Sequence, residues 1–147
     1  MIEEHTDTPE EELKRADHLV FVSLKYTRTC DIMGNAIKRM IAAFELSIDE
    51  YLEILRKKKG WTELPKNYKE KVAMLKPEMG NATNKYITLY NLLKRIDKSK
   101  YKASEEFRKN VTMTLTEGKS LSVKVEDLYN YLKTTKEFVS FIKSKIN

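Results

Sequence analysis

The sequence predicts a mainly all-α fold, an antiparallel bundle of four to five helices with a small β-hairpin near residues 111–125. Three observations carry this. Four stretches repeat their apolar residues at helical spacing. Glycine and proline, four and three in 147 residues, are scarce for a turn-rich sheet protein. One stretch, Val111 to Val125, changes to a period of two. Residues 1–147 read as a single domain, because no repeat, low-complexity tract or Ser/Gly/Pro-rich linker divides them. At this size roughly 70% of the unfolded chain's surface can be buried without staples.

The first helix is announced by Thr8 as N-cap, Pro9 at the first helical position and acids in the first turn, with Thr8 and Glu11 at capping-box spacing. Residues 1–8 before it are expected to be a flexible acidic tail. Leu13, Ala16, Val20, Leu24 and Thr27 form one face, while Leu19, Phe21 and Val22 place apolar groups round the rest of the circumference. Phe21 and Val22 therefore meet another helix of the same chain or a second subunit. Polar Thr27 to Asp31 and then Gly34 are read as a break before the next helix.

The second helix is the clearest element. Met33, Ile37, Met40, Ile41, Phe44, Ile48, Tyr51, Leu52 and Leu55 fall within an arc of about 120°. Four cations, Arg56 to Lys59, precede Gly60, as suits the negative end of a helix dipole. After a loop from Trp61 to Asn67 comes a short helix through Tyr68, Val72 and Leu75 that Pro77 is expected to stop. Asn81 starts another long helix with Ala82, Tyr86, Leu89, Tyr90, Leu93 and Ile96 as its buried stripe, and a helical turn is expected from Ser104 to Asn110.

The hairpin then alternates Val111, Met113 and Leu115 with Leu121, Val123 and Val125 around a Glu117-Gly118 turn. Two strands alone are marginal in water, so this hairpin must lie on the helices or pair with another subunit. The last helix, from about Glu126 to Ile146, carries Leu128, Tyr131, Leu132, Thr135, Phe138, Val139, Ile142 and Ile146 in one stripe. Phe141 falls off it and joins Phe21 and Val22 as a candidate interface residue.

Composition narrows the function classes. The single cysteine, Cys30, forms no internal disulfide, and its expected role is that of a small buried apolar residue. No apolar run, Leu19 to Val22 included, approaches the roughly 18 residues of a membrane span. The acidic N-terminus is the opposite of a signal peptide's basic start, so a cytoplasmic, non-membrane protein is expected. The net charge of +6 hides an asymmetry: the first twelve residues hold six acids and no Lys or Arg, leaving 28 cations against 16 anions in the body. Such a body attracts polyanions.

Enzymatic readings lack a motif. The two histidines, His5 and His18, both lie near the N-terminus, and no phosphate loop, dinucleotide fingerprint, nucleophile elbow or zincin helix occurs. No metal or cofactor is expected. Tyr26, Thr27, Arg28 and Asp31 make a polar junction between two apolar segments, where Arg28 and Asp31 have the spacing to pair. From Lys85 to Lys109, cations crowd with interleaved aromatics, and Lys94, Arg95, Lys98, Lys100, Tyr101, Lys102, Arg108 and Lys109 are the candidate nucleic-acid contacts. Phosphates need cations and unpaired bases stack on rings, which fits RNA.

The run from Glu12 to Asp31, a first helix leading into a long amphipathic second one, together with Tyr90-Asn91-Leu92-Leu93-Lys94-Arg95 and Glu105-Glu106-Phe107-Arg108-Lys109, resembles uncharacterised archaeal proteins of HEPN-like helical-bundle type. The resemblance implies a helical bundle that dimerises, related to ribonucleases and to RNA-associated partners in toxin and antitoxin systems. The ribonuclease motif of such proteins, an Arg followed four to six residues later by His, is missing: no histidine follows Arg28, Arg95 or Arg108. The expected function is therefore non-enzymatic binding of RNA or another nucleic acid through the basic surface. The alternative is a protein–protein interaction module, a homodimer or a toxin–antitoxin-type partner, with no nucleic-acid role.

Overall fold

The computed structural model describes residues 7–147, so His5 and most of the expected acidic tail lie outside the described residues. The chain is mainly helical, with four long helices and one small antiparallel sheet. Helix α1 (Pro9–His18) starts as its caps dictate: Thr8 Oγ1 accepts from the Glu11 amide at 3.1 Å and Pro9 occupies the first turn. Residues 7 and 8 are engaged, Thr8 as this cap and Asp7 in an ion pair with Arg15 at 3.1 Å.

After His18 the helix widens into a π-helical stretch (Leu19–Ser23) and closes with one α-turn (Leu24–Tyr26). The Leu24 amide there reaches back to the Leu19 carbonyl. The wider turn keeps Val20 and Leu24 in the core and lets Phe21 and Val22 face outward, at 44% and 40% exposure. Phe21 nonetheless stacks on Tyr129 of the last helix, with ring centroids 5.0 Å apart and planes 2° from parallel.

Helix α2 (Cys30–Lys59) is the central element and packs against α1 and both later long helices. Thr29 caps its start by accepting from the Ile32 amide. The break between the first two helices thus ends at Thr29, and Gly34 lies inside α2 rather than at a bend. At the other end Gly60 takes φ 70°, and the amides of Trp61 and Gly60 return to the carbonyls of Arg56 and Lys57. This is the paired-bond termination that a left-handed glycine permits.

Pro77 does not stop a helix. One short helix (Tyr68–Ala73) ends before it, and a second (Leu75–Met79) contains it in the first turn, where a missing amide proton costs no hydrogen bond. A 3₁₀ turn (Gly80–Thr83) leads into α3 (Asn84–Lys98), so the long helix begins later than Asn81, and Thr83, not Ala82, is buried at its start. Helix α4 (Val125–Ile146) takes Val125 from the expected hairpin. Phe44 of α2 sits between Tyr90 of α3 and Phe138 of α4, with centroids 5.6 and 4.7 Å away, at the centre of one continuous core.

The hairpin expected near residues 111–125 is part of a three-stranded antiparallel sheet in the order β1 (Tyr101–Ser104), β2 (Thr112–Leu115), β3 (Ser122–Lys124). Gly118 supplies the positive φ of 72° in the β2–β3 turn. The helical turn expected at Ser104–Asn110 is absent, replaced by the end of β1 and a tight connection in which Glu105 and Phe107 take φ of 56° and 68°. Ala103, Met113 and Val123 align on the core face, while Lys102, Thr114 and Ser122 align on the other.

Candidate nucleic-acid interface

The basic residues separate into those held by the fold and those left to solvent. Lys94 reaches Glu45 of α2 at 3.4 Å and lies over the Tyr90 ring, whose hydroxyl donates to the same carboxylate at 2.6 Å. Burial, and then this hydrogen bond to Glu45, push the Tyr90 phenol far above its ordinary range. The Arg95 guanidinium donates to the Lys119 carbonyl and braces the β2–β3 turn. Both residues are structural parts of the α3 surface.

Lys98, Lys100 and Lys102 are exposed, and they enter no ion pair among the described residues. They alternate with Ser99 and Tyr101 where α3 runs out into β1. Ser99 is already extended, with φ −85° and ψ 149°, so successive side chains from there turn to opposite sides. Ser99 and Tyr101 line a cleft, Lys100 and Lys102 alternate with them outside its lining, and Lys98 is exposed at the end of α3 beside them. Lys109 is exposed nearby, and Arg108 is only loosely paired with Glu105 at 3.9 Å.

The cleft, about 340 Å³, lies where α2, the end of α3 and the sheet meet. Ile37, Ile96 and Met113 form its apolar floor, and a Lys38–Asp97 ion pair of 2.7 Å closes one end. Asp31 and Asn35 provide polar walls. Tyr101 is 39% exposed; its phenol is pushed above the usual tyrosine value by burial, then by the negative charge of Asp31 and by Cys30 and Glu106. Asp31 and Tyr101 both line the cleft.

The two stretches singled out in the sequence, the polar junction and the basic region, are joined here. The Phe107 amide donates to the Arg28 carbonyl at 2.6 Å, and the Cys30 amide donates to the Glu106 carboxylate at 2.9 Å. The junction is a surface feature: Tyr26 is 85% exposed, Thr27 is exposed, and Arg28 and Asp31 form no ion pair among the described residues. They sit outside the low-dielectric interior that would have required pairing. Phe107, 73% exposed on its positive-φ backbone, projects from the same connection.

Cys30 is buried, its thiol donating to the Thr112 carbonyl at 3.4 Å. Burial, and then Glu106 and Asp31, push that thiol up to about 11, so it stays protonated and unreactive near neutral pH. His18 is exposed beside Lys14, Arg15 and Arg39 in a separate groove between α1 and α2. No group of three or more His, Cys, Asp or Glu fit to hold a metal occurs among the described residues. Of the candidate interface residues, Phe21 stacks on Tyr129, Val22 is exposed, and Phe141 packs 5.6 Å from Tyr86 with Lys145 over its ring.

Sequence reasoning placed Lys98, Lys100, Tyr101 and Lys102 in the basic region but missed Gly34, Asn35, Ile96, Asp97 and Ser99 as cleft residues. The signal that was present is the alternation of Lys100 and Lys102 with Ser99 and Tyr101, which fits extended chain after the end of α3 at Lys98. No helix among the described residues is long and apolar enough to cross a membrane. Comparisons with protein-family models, curated proteins and solved structures find no match for the chain. The class of protein is thus defined by its fold and site alone: a helical bundle bearing a small sheet, with exposed lysines at a helix–strand junction beside a cleft.

Proposed function

We propose that the protein is a non-enzymatic binder of single-stranded RNA, which runs from the end of α3 along β1 with its phosphates on Lys98, Lys100 and Lys102. The observation that carries this reading is the alternation at the α3–β1 junction, where three lysines without ion-pair partners among the described residues flank an aromatic ring at a cleft mouth. Cations that succeed one another from a helix end into extended chain offer several contacts to a phosphate backbone, and rings beside them offer stacking surfaces to unpaired bases. Exposed Phe107, with Arg108 and Lys109, extends the same surface. As part of this reading the chain is a HEPN-like bundle without ribonuclease activity, supported by its mainly helical fold and by the lack of any histidine after Arg28, Arg95 or Arg108.

Fluorescence anisotropy with single-stranded RNA, duplex RNA and DNA at two salt concentrations tests it. Three phosphate contacts give a log–log salt slope of about −2 for a single strand. The triple variant Lys98→Glu, Lys100→Glu, Lys102→Glu abolishes binding, whereas Lys94→Gln, which removes a cation already paired with Glu45, has little effect. Failure of single-stranded RNA to bind at low salt sinks the reading. The alternative of a protein-interaction module then leads, with exposed Phe21, Val22 and Tyr129 as its surface.

A further inference from the structure

We propose that the cleft between α2, α3 and β1 takes one unpaired guanine of the bound strand, stacked against Tyr101 and read along its Watson–Crick edge by the Asp31 carboxylate. This inference rests on the RNA-binding reading and assigns its base specificity.

Size comes first. At about 340 Å³ the cleft is at the lower end of small-ligand sites, room for a single base rather than a length of chain. Gly34 keeps it open. A glycine inside a helix is the poorest choice short of proline, yet here neither packing nor backbone demands one: a Cβ built on Gly34 meets nothing within 4 Å. Its missing side chain borders the cleft, and any larger residue would project into that space.

The chemistry of the walls selects the ligand. The floor of Ile37, Ile96 and Met113, with the Tyr101 ring, suits the faces of a base, which are planar and poorly hydrated. The polar groups suit its edge. Asp31 enters no ion pair among the described residues, and Lys38, the cation in the cleft lining, is held by Asp97 at 2.7 Å. An ionised carboxylate only accepts hydrogen bonds, and it offers two oxygens side by side. Guanine is the base whose Watson–Crick edge sets two donors side by side, the N1–H and the exocyclic amine. Adenine and cytosine pair their amine with an acceptor, and uracil's single N–H stands between two. The Asn35 amide, on the turn after Asp31, has a donor to offer the guanine carbonyl.

Position agrees. Ser99 and Tyr101 line the cleft and exposed Lys100 and Lys102 are the chain neighbours of Tyr101, so a base entering beside Tyr101 has two long cationic side chains one residue away to reach its flanking phosphates. The positive end of α2 is not a competing anion site, because Glu106 and Thr29 already accept its first amides.

The experiment compares short fluorescent oligouridines with the same oligomers carrying one central guanosine, adenosine or inosine, titrated into the full chain. The guanosine oligomer should bind about tenfold tighter than oligouridine, adenosine should add nothing, and inosine, which lacks the exocyclic amine, should lose most of the gain. Asp31→Asn and, separately, Gly34→Leu should bring the ratio of guanosine-oligomer to oligouridine affinity down to about one. Leucine is a better helix former than glycine, so the second variant guards against a folding defect in the first. Equal affinity for all four oligomers, or a preference that survives both variants, overturns the guanine pocket and leaves the RNA-binding reading standing. No binding of any oligomer at low salt overturns both.

Discussion

The Cys30 amide donates to the Glu106 carboxylate at 2.9 Å, tying the first turn of α2 to the β1–β2 connection 76 residues further along the chain. A helix start leaves several amides without partners and carries partial positive charge, so an anion brought there from elsewhere satisfies both. The Phe107 amide, returning to the Arg28 carbonyl, makes a second tie alongside. Together they hold the connection in a backbone shape that Glu105 and Phe107 would not choose alone.

Glu106→Ala is therefore expected to lower stability by about 1 kcal/mol, the combined loss of a charge-assisted hydrogen bond and a favourable dipole contact. Glu106→Gln keeps the bond without the charge and should lose about half as much. Urea unfolding of the three proteins measures this. Equal stability of wild type and the alanine variant would show that the contact contributes nothing.

Glu12 is buried at 2% exposure and is held by Arg15 at 2.8 Å and Arg39 of α2 at 3.1 Å. In the sequence it looked like one more first-turn acid of the tail-proximal cluster. Removing one partner of a buried ion strands the other, which costs more than the intact pair contributes. Arg39→Met should destabilise by about 2 kcal/mol, less than for a lone pair because Arg15 remains. Adding Glu12→Gln to that variant should recover part of the loss, and a denaturation cycle over the four proteins reads out the coupling.

The protonation of Cys30 gives a signed pH dependence. Burial raises its thiol from an ordinary 9.0 to about 11 in the folded state. A raised acid pKa means that the unfolded chain loses its proton first, so this contribution is fully present below pH 9 and is lost between about pH 9 and 11. Cys30→Ala should show a flatter stability profile across that window, and the wild-type thiol should resist alkylation at pH 8 until the chain is unfolded. Rapid alkylation of the folded protein at that pH would contradict the burial.

How much of this was legible follows from where each signal resides. Helix α2 could be read residue by residue because burial and periodicity coincide from Met33 to Leu55, and its glycine stop takes the left-handed conformation such stops require. Strand β1 could not, because all four of its residues are exposed and carry no apolar alternation; its partner β2 supplies the pairing. The stretch Glu105 to Lys109 is made of helix formers, and contacts with Arg28 and Cys30 overrode that local preference. Similarly, composition located the basic region, but only the distant Glu45 and Lys119 distinguish held Lys94 and Arg95 from unpaired Lys98, Lys100 and Lys102.

The same fold-specified pairing recurs one turn further along α2, and this supports a last prediction. Glu45 accepts from the Tyr90 hydroxyl and Asp49 from the Tyr68 hydroxyl, both at 2.6 Å, with Lys94 and Lys71 as the respective cations. The two clamps dock α3 and the short helix Tyr68–Ala73 onto one face of α2. Each phenol is raised well above its ordinary 10.0, by burial first and then by its carboxylate partner, so their stabilisation is complete below pH 10 and declines above it. Tyr90→Phe should cost about 1–2 kcal/mol, because it leaves a half-buried carboxylate with only the longer Lys94 contact. Tyr68→Phe should cost less, since Lys71 still holds Asp49 at 2.8 Å. The sites share no hydrogen-bond partner, but each phenol also feels the other site's carboxylate, so the double variant should depart from the sum of the two, whereas a strictly additive loss would mean that the clamps act independently.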